Sequence, residues 1–104
     1  MEHVVILITV SSEDEGVRIG KTLVEDGLIA CVNIIPNIRS IFKWEGKISD
    51  EKEYLLICKG KKERFSRIVE KVKELHSYII PEIISIPILE GSPDYLKWID
   101  EVLR

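Results

Sequence analysis

Two long apolar segments in the middle of the chain, between residues 29 and 59, constrain the fold more than any other feature. Successive side chains of a strand point to opposite faces, so a strand with one solvated face carries polar residues at every second position. The returning segment does not, because both of its alternating sets are apolar: Tyr54, Leu56 and Cys58 on one side, Leu55 and Ile57 on the other. We therefore predict paired β-strands that are covered on both faces.

These segments are predicted to form one long hairpin. The first strand begins at residue 28 or 29, is interrupted at Pro36, and continues to Ile48. Proline cannot donate a ladder hydrogen bond, so we expect a bulge, a bend or an edge position there. The turn is expected at residues 49–51, and the second strand at residues 52–59. The first strand of the hairpin is far longer than the usual five or six residues. Its second half, after Pro36, is therefore predicted to project from the sheet as one arm of the hairpin.

The flanking elements give the order β-α-β-β-α-β with an additional C-terminal helix. The first helix is predicted to begin after Ser12, which has the spacing of a capping box with Glu15. Gly20 suggests that this helix approaches the sheet closely, and Gly27 is typical of a helix end. The other predicted elements are a strand at residues 3–10, a helix at 62–75, a strand at 83–89, and a helix capped by Ser92 with an apolar stripe of Tyr95, Trp98, Ile99, Val102 and Leu103. We predict one α+β, ferredoxin-like domain over residues 1–104, with both crossover helices on one face.

The sheet face opposite these helices is also predicted to be apolar, whichever alternating set of each strand it receives. Soluble monomers rarely expose an apolar patch larger than a few hundred Å². Burying ~600 Å² at ~25 cal/mol per Å² is worth on the order of 15 kcal/mol before the costs of association. We therefore predict an obligate homo-oligomer. The alternative is a monomer whose short last helix covers more of this face.

Composition excludes several classes of protein. The net charge of −3 argues against a general nucleic-acid-binding protein, and no apolar run is long enough for a membrane helix. The N-terminal residues lack the pattern of a signal peptide. Two cysteines are too few to stabilise a small secreted domain by disulfides. We expect a cytoplasmic protein without nucleic-acid or membrane partners.

Several short motifs resemble, in order and spacing, those of the CutA family of divalent-cation tolerance proteins. They are Ala30-Cys31-Val32-Asn33, Trp44-Glu45-Gly46-Lys47, His76-Ser77-Tyr78 with Pro81-Glu82-Ile83, and Tyr95-Leu96-Lys97-Trp98. The resemblance implies a cytoplasmic homotrimer linked to copper and other divalent metals, with hairpins that reach across to neighbouring subunits. It also implies a ligand or signalling role at the clefts between subunits, since the family's trimer is similar to that of the PII signalling proteins. Some relatives carry another thiol near the end of the first strand, where this chain has Ile8 and Thr9, which weakens the expectation of a thiol-rich copper site.

Cys31 and His76 are the candidate metal ligands. A Cys31 thiolate is a soft donor that suits Cu(I), although a buried cysteine commonly serves as a small apolar residue. The imidazole of His76 suits copper or zinc, and its alternative role is to cap or hydrogen-bond the end of the second helix. Cys58 is expected to be a packing residue.

The other candidate site residues are expected to line a cleft. Tyr78 offers a phenol on a loop, and Glu53 and Lys59 can present charge from opposite ends of the third strand. For these two charged residues the alternative is simple solvation. Trp44, on the projecting arm, is interpreted first as an anchor against a neighbouring subunit and second as a surface for ligand stacking.

No motif indicates catalysis, since the chain has no glycine-rich phosphate loop, Cys-x-x-Cys or His-Glu-x-x-His. The predicted function is divalent-cation tolerance, with metal or a small ligand bound at intersubunit clefts of a non-enzymatic homotrimer. One alternative is a PII-like module that binds a small anionic ligand. Another is a thiol-dependent enzyme, which requires Cys31 and His76 to meet.

Overall fold

The computed structural model describes residues 2–104, so Met1 of the predicted domain lies outside the described part of the chain. The described residues form a mixed α+β fold with a four-stranded antiparallel sheet in the order β2-β3-β1-β4. The elements in chain order are β1 (His3–Val10), α1 (Glu13–Glu25), β2 (Cys31–Trp44), β3 (Lys47–Lys61), a single 3₁₀ turn (Lys62–Arg64), α2 (Phe65–Leu75), β4 (Ile83–Pro87) and α3 (Pro93–Val102).

Residues that follow α1 explain why β2 begins later than predicted. Gly27 has a φ of 68°, which a glycine adopts without steric cost, and it follows the helix end as expected. The N–H groups of Leu28 and Ile29 both donate to the carbonyl of Leu23, at 2.9 and 3.3 Å. Because these residues complete the helix cap, the strand begins at Cys31, and the predicted start at residue 28 or 29 was wrong.

The β2–β3 hairpin turns at Glu45 and Gly46, so the predicted turn at residues 49–51 was wrong. Both turn residues have positive φ angles, 50° and 79°. Two-residue hairpin loops require this conformation because it matches the twist of the strands, and glycine adopts it readily. Trp44 and Lys47 therefore face each other at the end of the arm.

Pro36 lies at a bulge in β2, which is an edge strand of the sheet. The register shifts between Ile35 and Ile38, where β2 has one residue more than β3. Asn37 within the bulge has a φ of 60°. The predicted interruption is confirmed, and beyond it the two strands continue as the arm (residues 38–52) of a molecule measuring 44 × 25 × 22 Å.

Both long helices lie on the same face of the sheet, as predicted. The core between them is formed by alternate strand residues and by one stripe of each helix: Val4, Ile6, Ile8, Val10, Leu56, Cys58, Ile19, Leu23, Ile68 and Val72. Gly20 permits the close contact of α1 with the sheet. A Cβ atom added there would lie 2.9 Å from Cγ1 of Val32, so the helix or Val32 would have to move to accept a side chain. We call the face of the sheet that packs against α1 and α2 the covered face.

The opposite face, which we call the open face, receives the other alternating set of each strand. Its apolar residues are Val5 and Leu7 of β1, Ile35 of β2, Leu55 and Ile57 of β3, and Ile84 and Ile86 of β4. Ile84 and Ile86 are 48% and 47% exposed. The helix α3 shields only a separate cluster of Ala30, Ile99 and Leu103. The prediction of a second apolar face is therefore confirmed in the described residues.

The five residues of the predicted α3 stripe differ in burial. Ile99 and Leu103 are buried and Leu96 packs beside them, whereas Tyr95, Trp98 and Val102 are at least 40% exposed. The helix rests on the sheet along a narrow line and is held there by Asp100. This carboxylate lies 2.8 Å from Nε2 of His3 and 3.2 Å from Nζ of Lys61. One side of α3 thus remains available to solvent or to another molecule.

Two element ends also differ from prediction. β4 ends at Pro87 rather than Leu89, and its last hydrogen bond to β1 runs from the N–H of Ile88 to the carbonyl of His3 at 2.9 Å. The α-helix α2 begins at Phe65, since residues 62–64 form a 3₁₀ turn that the apolar periodicity cannot distinguish from a first helical turn. Ser92 begins α3 with Pro93 in the first turn, as predicted, but its hydroxyl makes no capping hydrogen bond.

Candidate ligand cleft

A cleft of about 380 Å³ lies between the arm and the loop that follows α2. It contains Trp44, Glu53 and Tyr78, so the structure brings together three of the four residues predicted to line a cleft. Its complete lining is Thr9, Ser40, Ile41, Phe42, Trp44, Glu53, Tyr78, Ile80 and Glu82.

The bulge in β2 determines which arm residues face this cleft. Beyond the bulge Ile38 is opposite Glu53, and Ser40 is opposite Glu51. Directly opposed residues of an antiparallel pair share a face, and the same face recurs at every second position. Phe42 and Trp44 therefore lie on the same face of the arm as Glu53.

Glu53 and Tyr78 form the central polar contact of the cleft. The phenol Oη of Tyr78 donates to Oε2 of Glu53 at 2.5 Å, and Glu53 is only 4% exposed. Burial first, and then the neighbouring Glu53 carboxylate, raise the pKa of Tyr78 well above its ordinary value. The phenol consequently stays protonated and donates to the carboxylate.

His76 orients this loop from beneath. Its side chain is buried, and Nε2 lies 2.7 Å from the backbone oxygen of Thr9, to which it can only donate. Nδ1 accepts the N–H of Tyr78 at 3.0 Å. Together these contacts define a neutral ring with its proton on Nε2. Both nitrogens are occupied by hydrogen bonds within the chain.

Glu15 completes the support of the loop. Its carboxylate accepts the N–H of Ser77 at 2.7 Å and the N–H and hydroxyl of Ser11 at 3.2 and 3.1 Å. Burial alone would raise the pKa of Glu15, but the hydrogen bonds from Ser77 and Ser11 outweigh it and hold the pKa below its usual value. The Ser12 hydroxyl caps α1 as predicted, at 3.1 Å from the N–H of Glu15.

Cys31 and Lys59 lie elsewhere on the open face. They are opposite each other on β2 and β3, and the Cys31 sulfur is 3.8 Å from the Tyr95 hydroxyl. Lys59 is paired with Val5, whereas His76 contacts Thr9 at the other end of β1. Four strand residues at about 3.3 Å each separate these ends by about 13 Å. One chain therefore does not bring Cys31 to His76 or Lys59 to the cleft.

The cysteines differ in their surroundings, and both are free thiols. Cys58 is fully buried in the core, which confirms it as a packing residue, and burial raises the pKa of its thiol to about 12. A thiol that stays protonated is a poor metal ligand. Cys31 is only partly buried and is the accessible thiol of the chain.

The profile of the CutA1 divalent ion tolerance protein family matches residues 4–102. The chain belongs to this family. The divalent-cation tolerance protein CutA of Thermus thermophilus is 46% identical over 97 residues, which are 93% of this chain and 94% of that protein.

Solved CutA structures have the same fold. CutA from Archaeoglobus fulgidus superposes with a TM-score of 0.95 at 46% identity, covering 98% of this chain and 99% of that one. CutA1 from Oryza sativa superposes with a TM-score of 0.96 at 36% identity, covering 100% and 95%. The recognition of CutA motifs in the sequence is thereby confirmed.

Several residues of the cleft in this CutA chain were missed by sequence reasoning. Thr9 and Phe42 appear only as strand positions, and nothing local marks them as lining residues. Glu82 belongs to the Pro81-Glu82-Ile83 motif, and this was the only signal that could have found it. Glu15 was recognised as a cap partner, whereas its contact with Ser77 links positions 62 residues apart and leaves no local pattern.

The donors of the cleft suit a cation better than an anion. Glu53 and Glu82 supply carboxylate oxygens, and Tyr78 supplies a phenol. Within residues 2–104 of one chain, no three His, Cys, Asp or Glu side chains lie close enough together to hold a metal ion. None of the described helices is long and apolar enough to cross a bilayer.

Proposed function

We propose that the protein acts in divalent-cation tolerance, copper included, as a ferredoxin-like homotrimer that binds a metal ion or small ligand at clefts between its subunits. The observation that carries this proposal is the contact of Glu53 with Tyr78 in a cleft that also contains Glu82 and extends along the arm to Trp44, on the face that the chain does not cover itself. The family's link to divalent-cation tolerance supports it independently.

The open face supports assembly. Its apolar residues need cover, and α3 is confined to one end of the sheet. On the opposite side of the arm Ile41 and Ile48 are 65% and 70% exposed, which a solitary two-stranded arm does not tolerate well. The two edge strands, β2 and β4, are also free to meet an edge of another copy. Head-to-tail contacts of that kind close into rings, of which a trimer is the smallest.

A neighbouring subunit supplies the additional metal ligands that one chain does not provide. In this proposal the oxygen donors come from Glu53, Glu82 and Tyr78, and an arm from the next subunit completes the coordination. Copper in its reduced state prefers sulfur, for which Cys31 is the accessible donor. His76 contributes to a metal site only if it gives up one of its two present hydrogen bonds, so its role as a ligand is the most demanding part of the proposal.

The alternative of a PII-like module is supported by the surroundings of Lys59. Its ammonium group donates to Oδ1 of Asn33 and lies on the open face, where a small anion can approach. The cleft itself favours the cation, because an anion there would face the carboxylates of Glu53 and Glu82. The thiol-dependent enzyme has no comparable support, since Cys31 and His76 are at different ends of the sheet.

The cellular location is proposed to be the cytoplasm. Both cysteines are free, which suits a reducing compartment. The relatives differ in this respect, since one is called chloroplastic and another periplasmic. Fractionation of the source cells followed by immunodetection decides the matter, and a chloroplast or periplasmic signal would contradict the proposal.

The proposed function is tested by native mass spectrometry and calorimetry with Cu²⁺, Zn²⁺ and a nucleotide. We expect trimers that bind metal, with binding weakened about tenfold in Glu82→Gln because a charged donor is lost. Glu101→Gln, an exposed position on α3, is the matched control and should bind as the parent does. Nucleotide binding without metal binding would favour the PII-like alternative, and a monomer that binds neither would contradict both.

A further inference from the structure

We propose that α3 opens from the sheet as a separate unit while the rest of the fold stays intact, and that the carboxylate of Asp100 keeps it closed. Opening uncovers the end of the open face where β1 begins and β3 ends. This motion is independent of the proposed function, since no step of it involves a metal or a ligand. It follows from the small apolar contact of α3, from the ion pair beneath the helix and from the segment that joins it to β4.

The apolar contact of α3 with the sheet is small. Ile99 and Leu103 are buried against Ala30, with Leu96 beside them. These residues form a cluster separate from the main core, in which α1 and α2 take part. A helix of ten residues is not stable in water by itself, so α3 is helical only while it is docked. We therefore expect the docking and the helix to be lost together in one local step.

An ion pair lies beneath α3. His3 and Lys61 are directly opposite each other on β1 and β3, and both point to the open face. The Lys61 side chain is only 4% exposed, and its Nζ lies 3.2 Å from Oδ1 of Asp100. The same carboxylate oxygen lies 2.8 Å from Nε2 of His3. One carboxylate of α3 therefore neutralises a buried ammonium group and partners the imidazole next to it.

This ion pair makes the closed position of α3 depend on Asp100. A buried pair returns little net free energy, because both charged groups lose water when they meet. When α3 opens, Lys61 and Asp100 both regain water, so breaking the pair has a small net cost. Without the carboxylate, the closed helix would bury an ammonium group that has no counter-charge, which is strongly unfavourable. Removing the charge of Asp100 should therefore shift α3 toward the open position.

The segment before α3 allows the helix to leave while β4 stays paired. Residues 89–92 join α3 to β4, are exposed, and belong to neither a helix nor a strand. Just before them the N–H of Ile88 donates to the carbonyl of His3 at 2.9 Å, which holds the end of β4 on β1. The motion can therefore be confined to residues 89–104.

Opening breaks two other contacts of α3. Arg64 donates to the carbonyl of Leu103 at the end of the helix, and near its start the Tyr95 hydroxyl lies 3.8 Å from Sγ of Cys31. Loss of the second contact makes the Cys31 thiol more accessible. Cys58 has no exposed surface in the core, so its thiol becomes accessible only when the whole fold is lost. The two cysteines therefore distinguish local opening from global unfolding.

Hydrogen exchange of the assembled parent protein, followed by mass spectrometry, tests the opening itself. We expect the amides of residues 97–102 in α3 to exchange at least about tenfold faster than those of residues 4–10 in β1, because α3 opens locally. Equally slow exchange of both segments would overturn the proposal, since α3 would then open only with the whole fold.

Thiol reactivity tests the role of Asp100. Asp100→Asn should raise the rate at which Cys31 reacts with a chromogenic aryl disulfide at least about tenfold, while Cys58 stays unreactive. Glu101→Gln, an exposed neighbour on the same helix, is the matched control and should react as the parent does. An unchanged Cys31 rate in Asp100→Asn, or reaction of both cysteines together, would overturn the proposal.

Lys61→Met distinguishes control by the ion pair from a general weakening of α3. Methionine keeps the apolar length of the side chain without its charge, so the closed helix no longer needs a carboxylate. In this background Asp100→Asn should change the Cys31 rate less than about threefold. A tenfold effect in both backgrounds would show that Asp100 acts independently of Lys61 and would overturn the proposal. If Asp100→Asn alone does not fold, rescue by Lys61→Met supports the proposal and failure to rescue contradicts it.

Discussion

The two faces of the sheet are similarly apolar and entirely different in their surroundings. On the covered face Ile6, Ile8 and Leu56 have no exposed surface, because α1 and α2 lie on them. On the open face Ile84 and Ile86 retain nearly half of theirs. Apolar strand residues therefore reveal that a face must be covered, but they do not reveal whether the cover comes from the same chain. In this protein only one of the two faces is completed by its own helices.

A charge on the open face gives the largest expected effect. Ile84→Glu should abolish assembly at micromolar concentration, because an unpaired buried carboxylate costs several kcal/mol at an interface and nothing comparable in water. The chain itself should remain folded, since an antiparallel sheet tolerates a solvated face. Light scattering measures the mass and circular dichroism the fold.

The matched control for that experiment is Leu89→Glu. Leu89 is 93% exposed and lies outside the sheet. The Leu89→Glu variant should have the same assembled mass as the parent. An Ile84→Glu protein that retains the parent's mass would show that the open face is not an interface.

A cavity on the covered face comes next in magnitude. Leu56→Ala should lower the free energy of unfolding by about 2–5 kcal/mol, because a fully buried leucine is lost from a closed core. Urea denaturation at constant protein concentration measures the change. Leu89→Ala should change it by less than about 0.5 kcal/mol, and a Leu56→Ala effect no larger than this would contradict the description of the core.

The buried carboxylate of Glu15 should have a smaller effect that depends on pH. Glu15→Gln should cost about 1–3 kcal/mol at neutral pH, since a charged acceptor for Ser77 and Ser11 is lost. The folded pKa of Glu15 is lower than its ordinary value of 4.5. The stabilisation is therefore fully present above pH 4.5 and is lost as the pH falls through the folded pKa.

Denaturation of the parent and the variant at a series of pH values should show their difference shrinking below pH 4.5. Glu101→Gln, on the exposed side of α3, should show no such convergence. A constant difference between Glu15→Gln and the parent down to low pH would mean that the charge of Glu15 does not stabilise the loop.

The close contact of α1 with the sheet gives the smallest effect. Gly20→Ala adds a Cβ atom 2.9 Å from Cγ1 of Val32, an overpacking cost of about 1–3 kcal/mol. Alanine recovers about 1 kcal/mol of helix propensity, so a net loss of about 1 kcal/mol is expected. Thermal unfolding measures it against Lys21→Ala, an exposed neighbour. A Gly20→Ala protein more stable than the parent would show that the helix moves away at no cost.

Local patterns predicted most of the elements in the described chain. Period-two and helical spacings identified the four strands and three helices, and Pro36 and Gly27 marked an interruption and a helix end. The hairpin turn was misplaced because the polar residues at 49–51 resemble a turn. The actual turn needs only two residues, Glu45 and Gly46, both of which have positive φ angles. The stripe of α3 did not predict which of its residues are buried, because periodicity shows which residues share a side and not how wide the contact is.

The cleft was only partly predictable. Trp44, Glu53 and Tyr78 were named from charge, aromaticity and motif, and all three line one cleft, in which Tyr78 contacts Glu53. Lys59 was placed with them, but the register of β3 carries it toward Cys31 instead. The support of Tyr78 by His76 and Glu15 depends on contacts with Thr9 and Ser77 that the fold alone creates. Contacts between distant positions leave no periodicity in a sequence.

Sedimentation of the unmodified protein at micromolar concentration tests the central claim, that the open face is completed by other copies of the chain. The predicted result is a single species with three times the 12.0 kDa mass of one chain. A stable species with the mass of one chain, still folded and soluble, would contradict the claim and the intersubunit cleft with it.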